Sequence, residues 1–156
     1  MRVLLIRERE RCEKTAAKLA RAGHGSLVLP LAEYRDTGEP VPAMPFDAIA
    51  FTSAAAVESL SRRIANDPWL ESLLQLPAFC VGDATALCAG ESGFTDVRNA
   101  QGDGEELAAL ILRELPAPGR LLHPSQPSQG FDLAGALAGW EVSRFEAYEA
   151  QLLVLE

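Results

Sequence analysis

The feature that most constrains this chain is a repeated change of hydrophobic period. Apolar runs too short to be helices give way, again and again, to stretches with apolar residues three and four apart. The clearest case is "FDAIAF" at 46–51, followed by "TSAAAVESLSRRI", where Val57, Leu60 and Ile64 share one helical face. The same form returns in "AFCV" at 78–81, then Gly82 and a helix over 84–92. It returns again in "DVRNA" at 96–100, followed by "GDGEELAALILREL", where Asp103 and Glu106 make a capping-box pair. "RLLH" at 120–123 precedes a polar loop and a helix over 131–138, and "EVSRFEAYEAQLLVL" closes the chain as an extended stretch. Strands that alternate with helices must lie parallel, because each crossover returns the chain to the same end of the sheet. Five such strands from Phe46 to Phe145 predict a doubly wound, flavodoxin-like α/β lobe.

The first thirty residues repeat the form once. "RVLLI" at 2–6 reads as a buried strand. "ERERCEKTAAKLARAG" at 8–23 reads as a helix with Cys12, Ala16, Leu19 and Ala20 on one face and Gly23 as its stop signal, and "SLVLPL" at 26–31 as the next strand. This βαβ is an incomplete second α/β lobe. Between it and the larger lobe, "AEYRDTGEPVPAMP" holds three prolines, a glycine and four charges, and reads as an extended connector. The expected division is 1–31 for the partial first lobe, 32–45 for the connector, 46–145 for the complete second lobe and 146–156 for a returning connector strand.

Composition narrows the partners. A chain of 156 residues with 48% hydrophobic and 23% charged residues has the make-up of one globular domain. Its formal charge of −8 argues against nucleic acid, which demands a basic face. The apolar run near the N-terminus is four residues long, Val3 to Ile6, and is expected neither to span a membrane nor to form a signal peptide. Cys12, Cys80 and Cys88 form no CxxC pair, so reduced thiols and a cytoplasmic setting are expected. Trp69 and Trp140 read as packing residues, and Cys80 and Cys88 as small core hydrophobes.

In a parallel sheet the carboxyl ends of the strands share one edge, where helix N-termini converge and anions bind. The joints at that edge are Thr52-Ser53-Ala54, Gly82-Asp83-Ala84-Thr85, Gly102-Asp103-Gly104 and Ser125-Gln126. Their small, hydroxyl-bearing residues suit backbone N–H groups approaching a carboxylate. Each has a plainer reading too. Ser53 caps a helix or donates to a ligand; Asp83 and Asp103 are caps before they are catalytic acids; Thr85 bonds a ligand or its own backbone. His123 ends a strand at this edge and is an acid–base group without an evident carboxylate partner. No GxGxxG follows the first strand, and neither GxxxxGK[ST] nor GxSxG occurs, which removes support for dinucleotide, P-loop and serine-hydrolase readings.

The succession "FDAIAFTSAAAV", "FCVGDATA", "GDGEELAALI", "GRLLHPSQ" and "EVSRFEAYEA", after an N-terminal strand with its arginine, resembles bacterial uroporphyrinogen-III synthase. The resemblance implies two α/β lobes joined by a two-stranded connector, with crossings at 31–37 and 145–153. It implies closure of the linear tetrapyrrole hydroxymethylbilane to uroporphyrinogen III with inversion of the last ring. The route is loss of the hydroxyl, an azafulvenium cation and a spiro intermediate, with neither metal nor organic cofactor. Tyr148 matches the family's cleft tyrosine and Thr85 a cleft threonine. Arg7 would face the cleft from the first lobe, and Thr52, Ser53, Ala54, Gly82, Asp83, Ala84, Ser125 and Gln126 would hold the substrate carboxylates. Gln126 and Gly130 stand where the family commonly has a glycine and a basic residue. Family members are longer, so the resemblance also implies that the rest of the first lobe is missing. A non-catalytic anion-binding or interaction module on the same scaffold is the alternative.

A lone βαβ leaves strand edges and an apolar helix face uncovered. The expected outcome is self-association through residues 2–31. Small-angle scattering at micromolar concentration checks it, and a monodisperse monomer rules it out.

Overall fold

The computed structural model describes residues 2–5, 9–28, 32–127 and 130–152. The chain divides into two compact units, residues 1–35 with 149–156, and residues 36–148. In the first unit β1 (Arg2–Leu5), α1 (Arg9–Arg21) and β2 (Gly25–Val28) form the expected βαβ, with β1 and β2 parallel and Arg2 opposite Gly25. The helix stops where the sequence says it must. Gly23 takes φ +84°, its N–H donates to the Ala20 carbonyl at 3.1 Å, and the His24 N–H donates to the Leu19 carbonyl at 2.8 Å. That pair of bonds is a Schellman closure, and only glycine takes that φ without strain. The connector is more regular than its prolines suggest: β3 (Ala32–Asp36) forms a two-stranded sheet with β9 (Tyr148–Leu152).

The second unit holds the five-stranded sheet. Its strands are β4 (Ala48–Phe51), β5 (Pro77–Cys80), β6 (Asp96–Asn99), β7 (Arg120–Ser125) and β8 (Glu141–Glu146). They lie in the order β6-β5-β4-β7-β8, all parallel. The closing extended stretch is thus two strands, β8 in this sheet and β9 beside β3.

All four residues of β4 are buried. Ala48 and Ala50 face a core built with Phe79, Leu121, Leu107 and Ile111 of α4 (Gly104–Glu114), and Leu133 of α5 (Leu133–Ala136). Ile49 and Phe51 point to the opposite face by strand alternation. That face carries α2 (Ala54–Asn66) and α3 (Asp83–Glu91), and there the Phe51 ring meets Phe94 edge-on, centroids 5.3 Å apart. Fully burying each large side chain here stabilises the fold by roughly 1.5–3 kcal/mol. Cys80 is a core residue as expected, and burial pushes its thiol up to about 12, so it is un-ionised and inert.

Three sequence expectations change. The helix expected over 131–138 is the single turn Leu133–Ala136, because glycines at 135 and 139 weaken it and Asp132 caps it at Gly135. The short helix opened by Pro68 is a 3₁₀ helix over Pro68–Gln75. Trp69 is 84% exposed and so is no core residue, because it stands on the outer face of that helix, whereas Trp140 packs against the core.

The end of α3 gives a clean test of backbone conformation against helix propensity. Gly93 lies at φ +100° and closes α3 through the Phe94 N–H to the Ala89 carbonyl at 3.2 Å. Gly90, inside the same helix, has open space where a Cβ would go. Gly93→Ala should destabilise by about 1–2 kcal/mol, and Gly90→Ala should stabilise by about 0.5–1 kcal/mol. Urea unfolding of the two variants checks the opposite signs.

Candidate functional site

The strand order places the site. From β4 the chain winds outward through β5 to β6; it then returns to β7, on the other side of β4, and winds outward to β8. The loops after β4 and β7 therefore leave in opposite directions and open a crevice at the strand ends. A cleft of about 370 Å³ lies there. Thr52 and Ser53 line it from the end of β4, and His123, Ser125 and Gln126 from the end of β7. Tyr148, Val81, Asp103, Gly104, Gly130 and Phe131 complete the lining.

Ser53 has two tasks. It stands in extended backbone before α2, and its hydroxyl oxygen accepts the Ala56 N–H at 3.1 Å, an N-cap. The same oxygen lies 2.7 Å from the Tyr148 hydroxyl, a hydrogen bond between residues 95 apart in sequence. Tyr148 is only 4% exposed, yet its side chain reaches the cleft wall. The oxygen that caps α2 and the hydroxyl that lines the cleft are thus one group. The Ala54 and Ala55 N–H groups, in the first turn of α2, have no intrahelical acceptor.

His123 is 3% exposed, with Nε2 3.5 Å from the Thr52 hydroxyl. Burial first, and then the positive charge of Arg144 opposite it on β8, push its pKa down from 6.5 to about 4. The ring is neutral at pH 7, a hydrogen-bonding group and not a cation. Arg144 brings a basic side chain to the loop after β7. Its guanidinium donates to the carbonyls of Gln126 at 2.7 Å and Pro127 at 3.1 Å, so a positive charge underlies the loop after β7.

The remaining wall is made by α4. Asp103 accepts the Glu106 N–H at 3.1 Å, as the capping pattern predicts. Gly104 opens the helix because a Cβ there would overlap the Phe131 ring. Phe131 and Val81 are lining residues that sequence reasoning missed. The available signal for Phe131 was the glycine at 104, a gap that an aromatic ring fills.

The joint at Gly82 is placed differently. Gly82, Asp83, Ala84 and Thr85 head α3, and Ala54 heads α2, but none of the five lines the cleft. Thr85 is 5% exposed and turned inward, and the Asp83 carboxylate accepts from the Asn99 amide at 2.7 Å. Gly82 provides no side-chain cap, unlike Ser53, Asp103 and Asp132 at the other helices of this sheet. Arg7 lies outside the described residues. Among the described residues no three His, Cys, Asp or Glu side chains converge as metal ligands, and no helix is long and apolar enough to cross a membrane.

Comparison with known proteins gives the following. The family described as uroporphyrinogen-III synthase HemD matches residues 13–154. The structure is similar to uroporphyrinogen-III synthetase from Helicobacter pylori 26695, with 26% identity and a TM-score of 0.65 over 86% of this chain and 59% of that one. It is similar in fold to a mutant uroporphyrinogen III synthase from Thermus thermophilus, with 22% identity and a TM-score of 0.59 over 97% of this chain and 63% of that one. The chain thus spans about three-fifths of the length of the solved structures it matches. No curated protein sequence matches.

The buried imidazole makes stability depend on acid. Its pKa is about 4 folded against 6.5 ordinarily, so the stability tied to the neutral ring is complete above pH 6.5 and is lost as pH falls toward 4. The full loss is about 3 kcal/mol. His123→Gln should flatten this acid limb, which urea unfolding at pH 7, 5.5 and 4.5 measures.

Proposed function

We propose, from the premise that the chain belongs to the uroporphyrinogen-III synthase family, that the cleft at the ends of β4 and β7 binds hydroxymethylbilane and closes it to uroporphyrinogen III. The observation that carries this reading is the 2.7 Å hydrogen bond between Tyr148 and Ser53 at the cleft wall. It sets a phenol beside a helix N-terminus, a leaving-group partner beside an anion site.

The chemistry asks little covalent work of the protein. The hydroxyl of the hydroxymethyl group must leave as water, its carbon staying on the substrate, and the two ends of the tetrapyrrole must then be held together so that the last ring closes inverted. Positioning is the larger share. Tyr148 assists the departing hydroxyl by hydrogen bonding. When Ser53 donates to the phenol oxygen, the Ala56 N–H, the Ser53 hydroxyl and the Tyr148 hydroxyl form a chain directed at the leaving group, each bond polarising the next. Thr52, Ser53 and Ala54 receive one substrate carboxylate at the N-terminus of α2, and Ser125 and Gln126 bind another over the Arg144 charge. Gly82, Asp83, Ala84 and Thr85 remain in the proposal as a further carboxylate site at the N-terminus of α3. That helix lacks a side-chain cap, which leaves first-turn N–H groups for an anion. Arg7 is included on the family resemblance alone. No cofactor takes part. A cytoplasmic setting, in which cysteines stay reduced, is part of the proposal.

The test is coupled turnover. Hydroxymethylbilane is supplied by its upstream enzyme, the products are oxidised, and the type I and type III isomers are separated. The expected result is an excess of type III, reduced about 10²-fold in rate by Tyr148→Phe. Type I alone, the product of spontaneous closure, overturns the proposal in favour of a binding module on this scaffold.

A further inference from the structure

We infer that Ser59 and Arg63 are positioning residues for Tyr148, acting through the carbonyl of Ala147; this rests on the reading of Tyr148 just given. Three donors converge on that one oxygen. The Thr37 N–H lies at 3.0 Å, the Ser59 hydroxyl at 3.0 Å and the Arg63 Nη2 at 2.9 Å. A buried carbonyl is satisfied by one or two donors, so a third adds constraint beyond what satisfaction requires. Ser59 is 0% exposed and Ala147 is 0% exposed, so the node is closed to water.

The peptide plane transmits the constraint. The Ala147 carbonyl, the Tyr148 nitrogen and the Tyr148 Cα are coplanar, so fixing the oxygen fixes the origin of the tyrosine side chain. The preceding plane is held as well, because the Ala147 N–H donates to the Ser125 carbonyl at 2.8 Å. Ser59 and Arg63 are four apart in α2 and share one face of it. Ser53, which holds the phenol, caps the same helix six residues before Ser59, about 9 Å along its axis. One rigid helix therefore holds Tyr148 at both ends, its hydroxyl through Ser53 and its backbone through Ser59 and Arg63.

Arg63 also ties in the incoming strand. Its Nη2 donates to the Thr37 carbonyl at 3.0 Å and its Nη1 to the Glu39 carbonyl, while its Cζ lies 5.3 Å from the Phe145 ring centroid. The two chain segments that enter and leave this unit are thereby fixed to each other and to α2. None of these contacts touches the cleft, which separates positioning from binding.

The chain has two tyrosines, Tyr34 and Tyr148, so ¹³C labelling of tyrosine Cζ gives two resonances, and Tyr148→Phe assigns them. In Ser59→Ala the Ala147 carbonyl keeps two donors and the fold is retained. The expected result is a shifted or broadened Tyr148 resonance with Tyr34 unchanged. The rate kcat for the type III isomer should fall about 10-fold with KM within about twofold. Ser59→Thr, which keeps the hydroxyl, should restore both. Arg63→Lys, which keeps charge but loses the planar fork, should move the same resonance in a second way. If the Tyr148 resonance is unmoved in both Ser59→Ala and Arg63→Lys while only stability changes, the inference is overturned. A wild-type chain that gives type I alone overturns the functional reading instead, and the resonance still decides the positioning.

Discussion

The strand β4 has a parallel neighbour on each side and a helix layer on each face. Nothing about it is free to vary in small steps. Alanine at 48 and 50 lets α4 approach the sheet on one face, and Ile49 and Phe51 fill the other. A slip of one residue would exchange those faces and reverse the direction of everything that follows. Thr52 and Ser53 are the first two residues beyond the strand. Their placement at the sheet edge is a consequence of that register, and so is the start of α2. Because β4 is also the strand at which winding reverses, the same register fixes where the crevice opens. Fold and site thus share one determinant.

The site is built from dipoles more than from charges. The chain carries a formal charge of −8, which opposes an anionic ligand at long range. Inside the cleft, the groups on offer are the hydroxyls of Thr52, Ser53, Ser125 and Tyr148, and an imidazole that burial keeps neutral. Asp103 brings a carboxylate to the wall, but that group is engaged by the α4 N–H it caps. The positive charge of Arg144 is engaged by two loop carbonyls. Fixed dipoles need no reorganisation when a charge moves past them.

Much of this was legible in the sequence, and the reason is locality. Strand and helix period outside 68–75 and 131–138, the stop at Gly23, and the caps at Ser53 and Asp103 are decided within a few residues, and each stands as read. The edge joints followed from the parallel sheet. What sequence did not disclose is pairing at long range. Tyr148 entered through family resemblance; its bond to Ser53, 95 residues away, leaves no periodic trace. Ser59 and Arg63 read as ordinary members of an amphipathic helix, because a hydroxyl and a guanidinium directed at a distant carbonyl look the same on paper as solvated ones. Phe131 was hidden for a similar reason: its neighbour Gly104 is meaningful only once the two are side by side.

The arginines of this unit show what positional accuracy costs. Arg63 and Arg144 each direct their terminal nitrogens at backbone carbonyls, and each keeps a buried Nε without an acceptor among the described residues. An unsatisfied buried donor costs about 1–3 kcal/mol. A core selected for stability alone would replace such groups with apolar packing, which is often neutral or better. Both sit instead where an irregular segment must be held: Arg63 at the meeting of residues 37–39 with residue 147, Arg144 beneath the loop after β7. The carbonyls of Thr37, Glu39, Gln126 and Pro127 lie outside the strands, and a planar fork reaches two such groups at once. Stability lost at Nε is offset by backbone that no longer has alternatives. The two segments held in this way are those that carry Tyr148 and Gln126 to the cleft, so these costly contacts and the candidate site are parts of one arrangement.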